Sequence, residues 1–297
     1  MTEPDKVRVP DRQYADLLRR ILENGEWTET RQGTRALTLL QQTLTYKIAN
    51  GYPVIPDRDI SRFWRKAIGE LCAFINGARR VDEFESFGCD WWGPWASEAK
   101  TRKRGLPTGD LGPGSYGGAF RHFPTSEGEP FDQFGSVVQQ IREQPFLRTH
   151  FVTPWIPQYL TRAGGRVPLA TIAPCHGWIH VRVLSGGLHL HMFQRSGDVP
   201  IGIPSNLVQY SALLLMLSSL TGYPPVAYYH TISDAHIYEN QLDVAAEIAS
   251  REPLRLGDIV LNEKGARVSD VHEFRAEHFE LVGYRPHRAI PRIPVAV

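Results

Sequence analysis

Apolar positions recur at helical intervals in several stretches of the chain. Across residues 14–23, Leu17, Leu18, Ile21 and Leu22 share one helical face, and Gly25 is placed to stop the helix. Residues 60–75 repeat that spacing and end at Asn76-Gly77, a helix stop. Residues 134–143 predict a short amphipathic helix and 241–249 a last one. Residues 206–221 are the most apolar of these segments, sized for a core helix and read as too short to span a bilayer. Strands show a period of two. Residues 36–48 alternate, and 178–193 read as two strands around Ser185-Gly186-Gly187. There His180, Arg182, His189 and His191 alternate with apolar residues, which predicts one polar sheet face rather than a histidine metal cluster.

Between these elements, Thr30-Arg31-Gln32-Gly33-Thr34 is a loop by composition, and residues 99–118, rich in Gly, Lys, Arg and Pro, read as a surface excursion. Ala163-Gly164-Gly165 is a turn, followed by a strand-like approach to Cys175. Short strands are expected to lead to the tail. No repeat, low-complexity run or flexible linker divides the chain. The irregular interleaving of strands and helices predicts an α+β fold in a single domain over 1–297, with residues 1–12 loose.

Composition narrows the class. The 297 residues allow one large domain or two small ones. A net charge of +1 with no basic stripe argues against a nucleic-acid polymer as partner. Three cysteines make no disulfide framework, and Cys72 and Cys89 have no metal-ligand spacing with Cys175. The polar N-terminus is unlike a signal peptide, and no apolar run reaches membrane-spanning length. The expectation is a cytoplasmic protein of a reducing compartment with no membrane partner.

Candidate chemistry concentrates between residues 173 and 238. Pro174-Cys175-His176, Gln194-Arg195-Ser196-Gly197-Asp198, Gly202-Ile203-Pro204-Ser205-Asn206 and Asp234-Ala235-His236-Ile237-Tyr238 fall at the edges of apolar segments. The set suits a small anionic ligand with one electrophilic carbon. A cysteine thiolate is the nucleophile, and it needs nearby positive charge at neutral pH. Arg195 can supply that charge, and its planar fork with the Ser196 hydroxyl can hold a phosphate. Asn206 offers one donor and one acceptor face, enough to read a pyrimidine edge. Singly, each has a plainer reading: a buried cysteine, a solvated arginine, a helix-capping asparagine.

Together these strings resemble thymidylate synthase. The resemblance extends to Asp110-Leu111-Gly112-Pro113 with Tyr116-Gly117, Asp132-Gln133, the run from Phe279 to Tyr284 before Pro286-His287, and the terminal Pro294-Val295-Ala296-Val297. It implies a mixed β-sheet packed with helices, the sheet forming a homodimer interface. It implies Cys175 as the nucleophile attacking carbon 6 of a uracil ring, and Glu70 as the carboxylate that organises water and moves protons at the pyrimidine oxygen. Tyr116 would assist proton removal at carbon 5. Arg31, Arg195 and Ser196 would bind phosphate, with Arg148 reaching across from a second subunit. Asn206 would read the uracil edge, and His236 and Tyr238 would hold the sugar hydroxyl. Trp92 would pack beside the folate ring, Asp198 would contact the pterin, and the tail through Val297 (residues 291–297) would close over it. The co-substrate implied is 5,10-methylenetetrahydrofolate, with neither flavin nor metal.

The chain departs from that pattern. Thr149 stands where a second cross-subunit arginine is expected, Ile156 where asparagine is usual, His180 for glutamine and Ser205 for phenylalanine; Pro56-Asp57-Arg58 replaces a segment that usually carries a lysine. These positions bear on nucleotide and folate preference and leave the nucleophile in place. The leading expectation is methylation of dUMP to dTMP. The alternatives are a pyrimidine nucleotide 5-hydroxymethylase acting on dUMP, dCMP or CMP, which lets water capture the exocyclic methylene, and a non-catalytic nucleotide- or RNA-binding homologue.

Overall fold

A computed structural model of the chain describes residues 8–295. Helix α1, Gln13–Asn24, buries Leu17, Leu18 and Ile21 on the face that the spacing predicts. Strands β1, Glu26–Thr28, and β2, Ala36–Lys47, pair as a hairpin across the Thr30-to-Thr34 loop. Helices α2, Trp64–Ile75, and α3, Val81–Ser86, follow, then α4, Glu98–Arg102, and α5, Tyr116–Arg121. Helix α6, Gln133–Glu143, is capped by the Asp132 carboxylate, which accepts from the Gly135 N–H. Strand β3, Phe151–Val152, and helix α7, Pro157–Leu160, precede the hairpin of β4, Trp178–Leu184, and β5, Gly187–Asp198. The chain ends through α8, Gly202–Thr221, β6, Pro225–Tyr238, α9, Leu242–Ala249, β7, Asp258–Leu261, and β8, Phe279–Val282.

The main sheet runs β1-β2-β6-β5-β4-β3, and β7 and β8 form a separate pair. Every contact in the main sheet is antiparallel except β5 with β6, which α8 joins as a parallel crossover. This is a mixed α+β architecture. Ile179, Val181, Leu190 and Met192 turn into the core, while His180, Arg182, His189 and His191 lie on the other face. On that face His191 shares a hydrogen bond with Thr231 at 2.9 Å and His189 with Tyr229 at 3.3 Å. The alternation predicted that division.

Helix α8 is apolar all round because it is enclosed by the sheet, α2 and α6. It begins at Gly202, four residues earlier than its apolar pattern suggests. At twenty residues it is long and apolar enough to cross a membrane, contrary to the sequence expectation, and 78% of its apolar window is buried within the fold. It is a core helix.

Other boundaries also moved. The segment Ile60–Phe63, expected to be helical, is a turn, held where the Ile60 N–H donates to the Tyr284 hydroxyl at 3.1 Å. The approach to Cys175 is irregular rather than a strand. The 99–118 excursion divides. Residues 102–109 stay largely at the surface, whereas Leu111, Ser115 and Tyr116 are buried. Glycines that marked a surface excursion in the sequence are close contacts here: a Cβ on Gly117 would meet the Ala78 carbonyl at 2.1 Å. At the N-terminus, residues 8–12 are anchored rather than loose, Arg8 pairing with Asp258 at 2.7 Å and Asp11 bridging to Leu254.

Candidate active site

The parallel pair β5 and β6 ends at one edge, where α8 begins. Ser196 pairs with Asp234 and Asp198 with His236 across it. The carboxyl ends of parallel strands beside a helix N-terminus form a natural crevice for anionic ligands.

Cys175 lies in the irregular run just before β4. Gly177 holds φ at +100°, and a Cβ there would meet Phe120 Cζ at 2.8 Å, so only glycine lets the chain turn from Cys175-His176 into β4. Arg195 braces this run from β5. Its Nε donates to the Pro174 carbonyl at 2.8 Å, and its Nη2 to the Ala173 carbonyl at 2.9 Å and to Cys175 Sγ at 3.2 Å. The residue keeps some exposed surface, but its sulfur is desolvated, and burial pushes the thiol pKa up; the Arg195 charge pulls it back only in part. The expected positive charge is present, and desolvation outweighs it.

The Tyr116 hydroxyl accepts the Cys175 N–H at 2.7 Å. Its ring stacks on Phe74, centroids 4.4 Å apart, and sits 4.6 Å from the His176 ring. His176 is buried, and its pKa falls to about 3, through desolvation first and the Arg195 charge second, so it is neutral. Its Nδ1 shares a hydrogen bond with the Tyr210 hydroxyl at 2.6 Å.

Glu70, on α2, is 6% exposed. Burial pushes its pKa up to about 7, against hydrogen bonds from Trp91 Nε1 at 2.6 Å and Gln209 Nε2 at 2.5 Å. The Trp92 indole N–H adds a weaker pull and closes no hydrogen bond of its own. Asn206, in the first turns of α8, donates from Nδ2 to Gln209 Oε1 at 2.9 Å, and its Oδ1 accepts from Gln194 Nε2 at 3.1 Å.

Asp198 accepts from the Ile201 N–H at 3.2 Å and from Gln241 Nε2 at 3.0 Å, and burial raises its pKa. Gln241 also donates to the Pro294 carbonyl at 2.8 Å, tying the C-terminal segment to this edge. His236 Nδ1 lies 2.8 Å from Asp234 Oδ1. Tyr238 is buried beside it, its pKa pushed up to about 12 by desolvation and then by Asp198, Asp234 and Cys175. A cavity of about 580 Å³ adjoins the edge, lined among others by Arg31, Arg162, Arg195, Trp155 and Ala173. Another, of about 660 Å³, lies by β7 and β8 and carries none of this chemistry.

The sequence profile described as Thymidylate synthase matches residues 12–297. The chain belongs to the thymidylate synthase family. It is 34% identical over 298 residues to a curated protein named "Thymidylate synthase 1/2" from Encephalitozoon cuniculi (strain GB-M1), covering 97% of this chain and 98% of that one.

Against the residues implicated by the resemblance to thymidylate synthase, the structure brings Cys175, Arg195, Ser196, Tyr116, Asp198, His236 and Tyr238 to one edge, with Glu70 and Asn206 joined through Gln209. Arg31 reaches the same cavity from the β1–β2 turn. Arg148, which the resemblance assigns to a second subunit's site, is exposed and lines no part of this cavity; its carbonyl accepts from His180 Nε2 at 3.1 Å. Trp92 is 7% exposed, packed among Phe74, Phe84, Trp95 and Tyr116 rather than offering an open face. Val297 lies outside the described residues. Sequence reasoning gave no role to Gln194, though it stands in a quoted string, and passed over Gln209, Gln241, Trp91 and Arg162. For Gln209 a signal existed: it is a polar residue in the most apolar helix, three positions after Asn206 and so on the same face.

Proposed function

We propose that the protein methylates carbon 5 of dUMP, giving dTMP, through a covalent adduct on Cys175. The observation that carries this reading is the contact of Arg195 with the Cys175 sulfur at 3.2 Å, Arg195 also lining a cavity with Arg31 and Arg162. A guanidinium there stabilises the thiolate as it forms, and the remaining Nη1 donors are available to a phosphate. Attack of the sulfur on carbon 6 moves the ring electrons onto carbon 5 and the carbonyl oxygen at carbon 4. Asn206 and Glu70 answer that developing charge, with Glu70 able to exchange a proton near neutral pH because its pKa is about 7. The Tyr116 hydroxyl, anchored on the Cys175 N–H, is placed to assist loss of the carbon 5 proton.

5,10-Methylenetetrahydrofolate, when bound, supplies the carbon and then a hydride. The residues fit such a heterocycle in one respect: the half-buried Asp198 carboxyl retains lone pairs beside Gln241 and the C-terminal segment. The same proposal includes a homodimer built on the open sheet face, in which the exposed Arg148 serves a second copy's phosphate site, with nucleotide and folate as small-molecule partners and no nucleic-acid polymer. Its location is the cytoplasm, in keeping with three free cysteines.

The test is incubation of purified protein with dUMP and methylenetetrahydrofolate. Dihydrofolate is followed by absorbance and the nucleotide by mass, with Cys175→Ser alongside. Dihydrofolate rising in step with dTMP is the expected result, and Cys175→Ser should lose turnover at least ~10³-fold while retaining dUMP binding. A hydroxymethylated nucleotide without dihydrofolate would replace this reading by the 5-hydroxymethylase. Undiminished product from Cys175→Ser would remove the covalent step.

A further inference from the structure

The cavity beside Arg195, about 580 Å³ in volume, is larger than one phosphate group requires, since a liquid water takes up only about 30 Å³. None of Asn206, His236 and Tyr238 lines it, so its volume lies away from the groups proposed to read base and sugar. Its wall carries the guanidiniums of Arg31, Arg162 and Arg195. Among the described residues none of the three pairs with a carboxylate. The Thr171 hydroxyl, buried in the same wall, has no protein partner either, and a bound oxyanion can accept from it.

A fourth guanidinium flanks this wall. Arg104 Nε donates to the Ala170 carbonyl at 2.7 Å and Nη1 to the Lys100 carbonyl at 2.5 Å. Ala170 immediately precedes Thr171, so these two anchors fix the Arg104 fork beside the cavity. Burial first and the Arg162 charge second lower the Arg104 pKa; burial and then Arg104 lower that of Lys100. Lys100, Arg104 and Arg162 thus stand within electrostatic reach of one another. Among the described residues, neither Lys100 nor Arg104 pairs with a carboxylate. Like charges held side by side repel, and a ligand anion relieves that repulsion. One phosphate monoester brings a charge of only about −2, which the Arg31, Arg162 and Arg195 guanidiniums already exceed. Arg104 and Lys100 are left over for further phosphates.

We propose that this cavity takes the polyphosphate chain of a pyrimidine nucleoside di- or triphosphate, which binds in place of the monophosphate. Arg31, Arg162 and Arg195 hold the first phosphate, and Arg104 with Lys100 the outer ones. The inference deepens the nucleotide reading above and rests on it for the base; the run of unpaired cations does not depend on that reading. Planar guanidinium forks suit the outer oxygens, because each can donate two parallel bonds to one phosphate.

The experiment measures binding of dUMP, dUDP, dUTP and inorganic tripolyphosphate to the whole chain by calorimetry, for wild type and Arg104→Gln. Ionic strength is fixed and divalent metal is left out, so that only the protein's cations meet the phosphates. Wild type should bind dUTP at least as tightly as dUMP, and Arg104→Gln should lower the dUTP-to-dUMP affinity ratio about tenfold. The ratio is the readout because general damage to the site weakens both nucleotides alike. Binding of dUTP to wild type about tenfold weaker than that of dUMP would overturn the proposal, as would a ratio that Arg104→Gln leaves unmoved. Tripolyphosphate should bind more weakly than dUTP; equal affinity would make the occupant a free polyphosphate and overturn the nucleotide half. If no uracil nucleotide binds, but tripolyphosphate does and depends on Arg104, the pyrimidine reading fails and the anion cleft stands. Should Arg104→Gln not fold, Lys100→Gln reads the same ratio.

Discussion

Glu70 shows how one residue carries both a stability cost and a use. Its carboxyl sits among aromatic and aliphatic neighbours with two neutral donors and a pKa of about 7 against an ordinary value of 4.5. The folded chain therefore holds this proton more tightly than the unfolded chain. The resulting stability is full below pH 4.5 and is lost as pH rises through 7. Relative to Glu70→Gln, wild type should lose about 2 kcal/mol between pH 5 and pH 8. Urea melts at the two pH values measure this; parallel losses in both proteins would show that Glu70 is not the group responsible. The raised proton affinity is also what lets the same carboxyl give and take a proton near neutrality. From the sequence, Glu70 was one acid in an apolar helix, and only its family position marked it. The reason is physical: desolvation depends on what other elements place around a side chain.

Among the elements, α8 has the most consequence for both fold and site. Its apolar residues face the sheet on one side and α2 and α6 on others, so no polar stripe interrupts it except the short Asn206–Gln209 pair. Leu214 is fully buried at its middle. Leu214→Ala should destabilise the protein by about 3 kcal/mol, through lost transfer energy and the cavity left behind. Because Leu214 lies two turns from Asn206, nucleotide binding at low denaturant should be unaffected. Urea unfolding with dUMP titration checks both; a change below about 1 kcal/mol would mean that the helix repacks. The existence of α8 was plain from its composition, as were α1, α6 and α9. Its first turn was not, because Gly202 and Pro204 look like breakers. In the fold they follow Asp198, whose carboxylate accepts the Ile201 N–H at the helix entrance.

At the scale of the whole molecule, the cavity proposed to hold the phosphate is assembled from segments far apart in the chain. Arg31 comes from the β1–β2 turn, Arg162 from the run after α7, and Arg195 from β5, and all three line one cavity. Arg162 adds a guanidinium from the same subunit, whereas the second arginine expected from across the subunits is replaced by Thr149. Under the proposed function, Arg162→Ala should raise KM for dUMP about tenfold with little change in kcat, and leave the weak binding of unphosphorylated deoxyuridine unchanged. Equal losses for nucleotide and nucleoside would place Arg162 outside the phosphate site.

The sequence by itself determined a good deal. Periodicity fixed the amphipathic helices and the polar face of the β4–β5 hairpin, because burial on one side leaves a period in the residues. The ordered strings around Cys175, Arg195, Asn206 and His236 identified the family and supplied most of the candidate residues that the fold gathers at one edge. The tertiary structure alone decided that glycines at 112–118 are close contacts and that Trp92 is enclosed rather than open. It also decided that Gln209 bridges Glu70 and Asn206. These outcomes depend on distances between segments that no local pattern records, since a hydrogen bond or a desolvated charge is fixed by the neighbour across the fold rather than by the next residue along it.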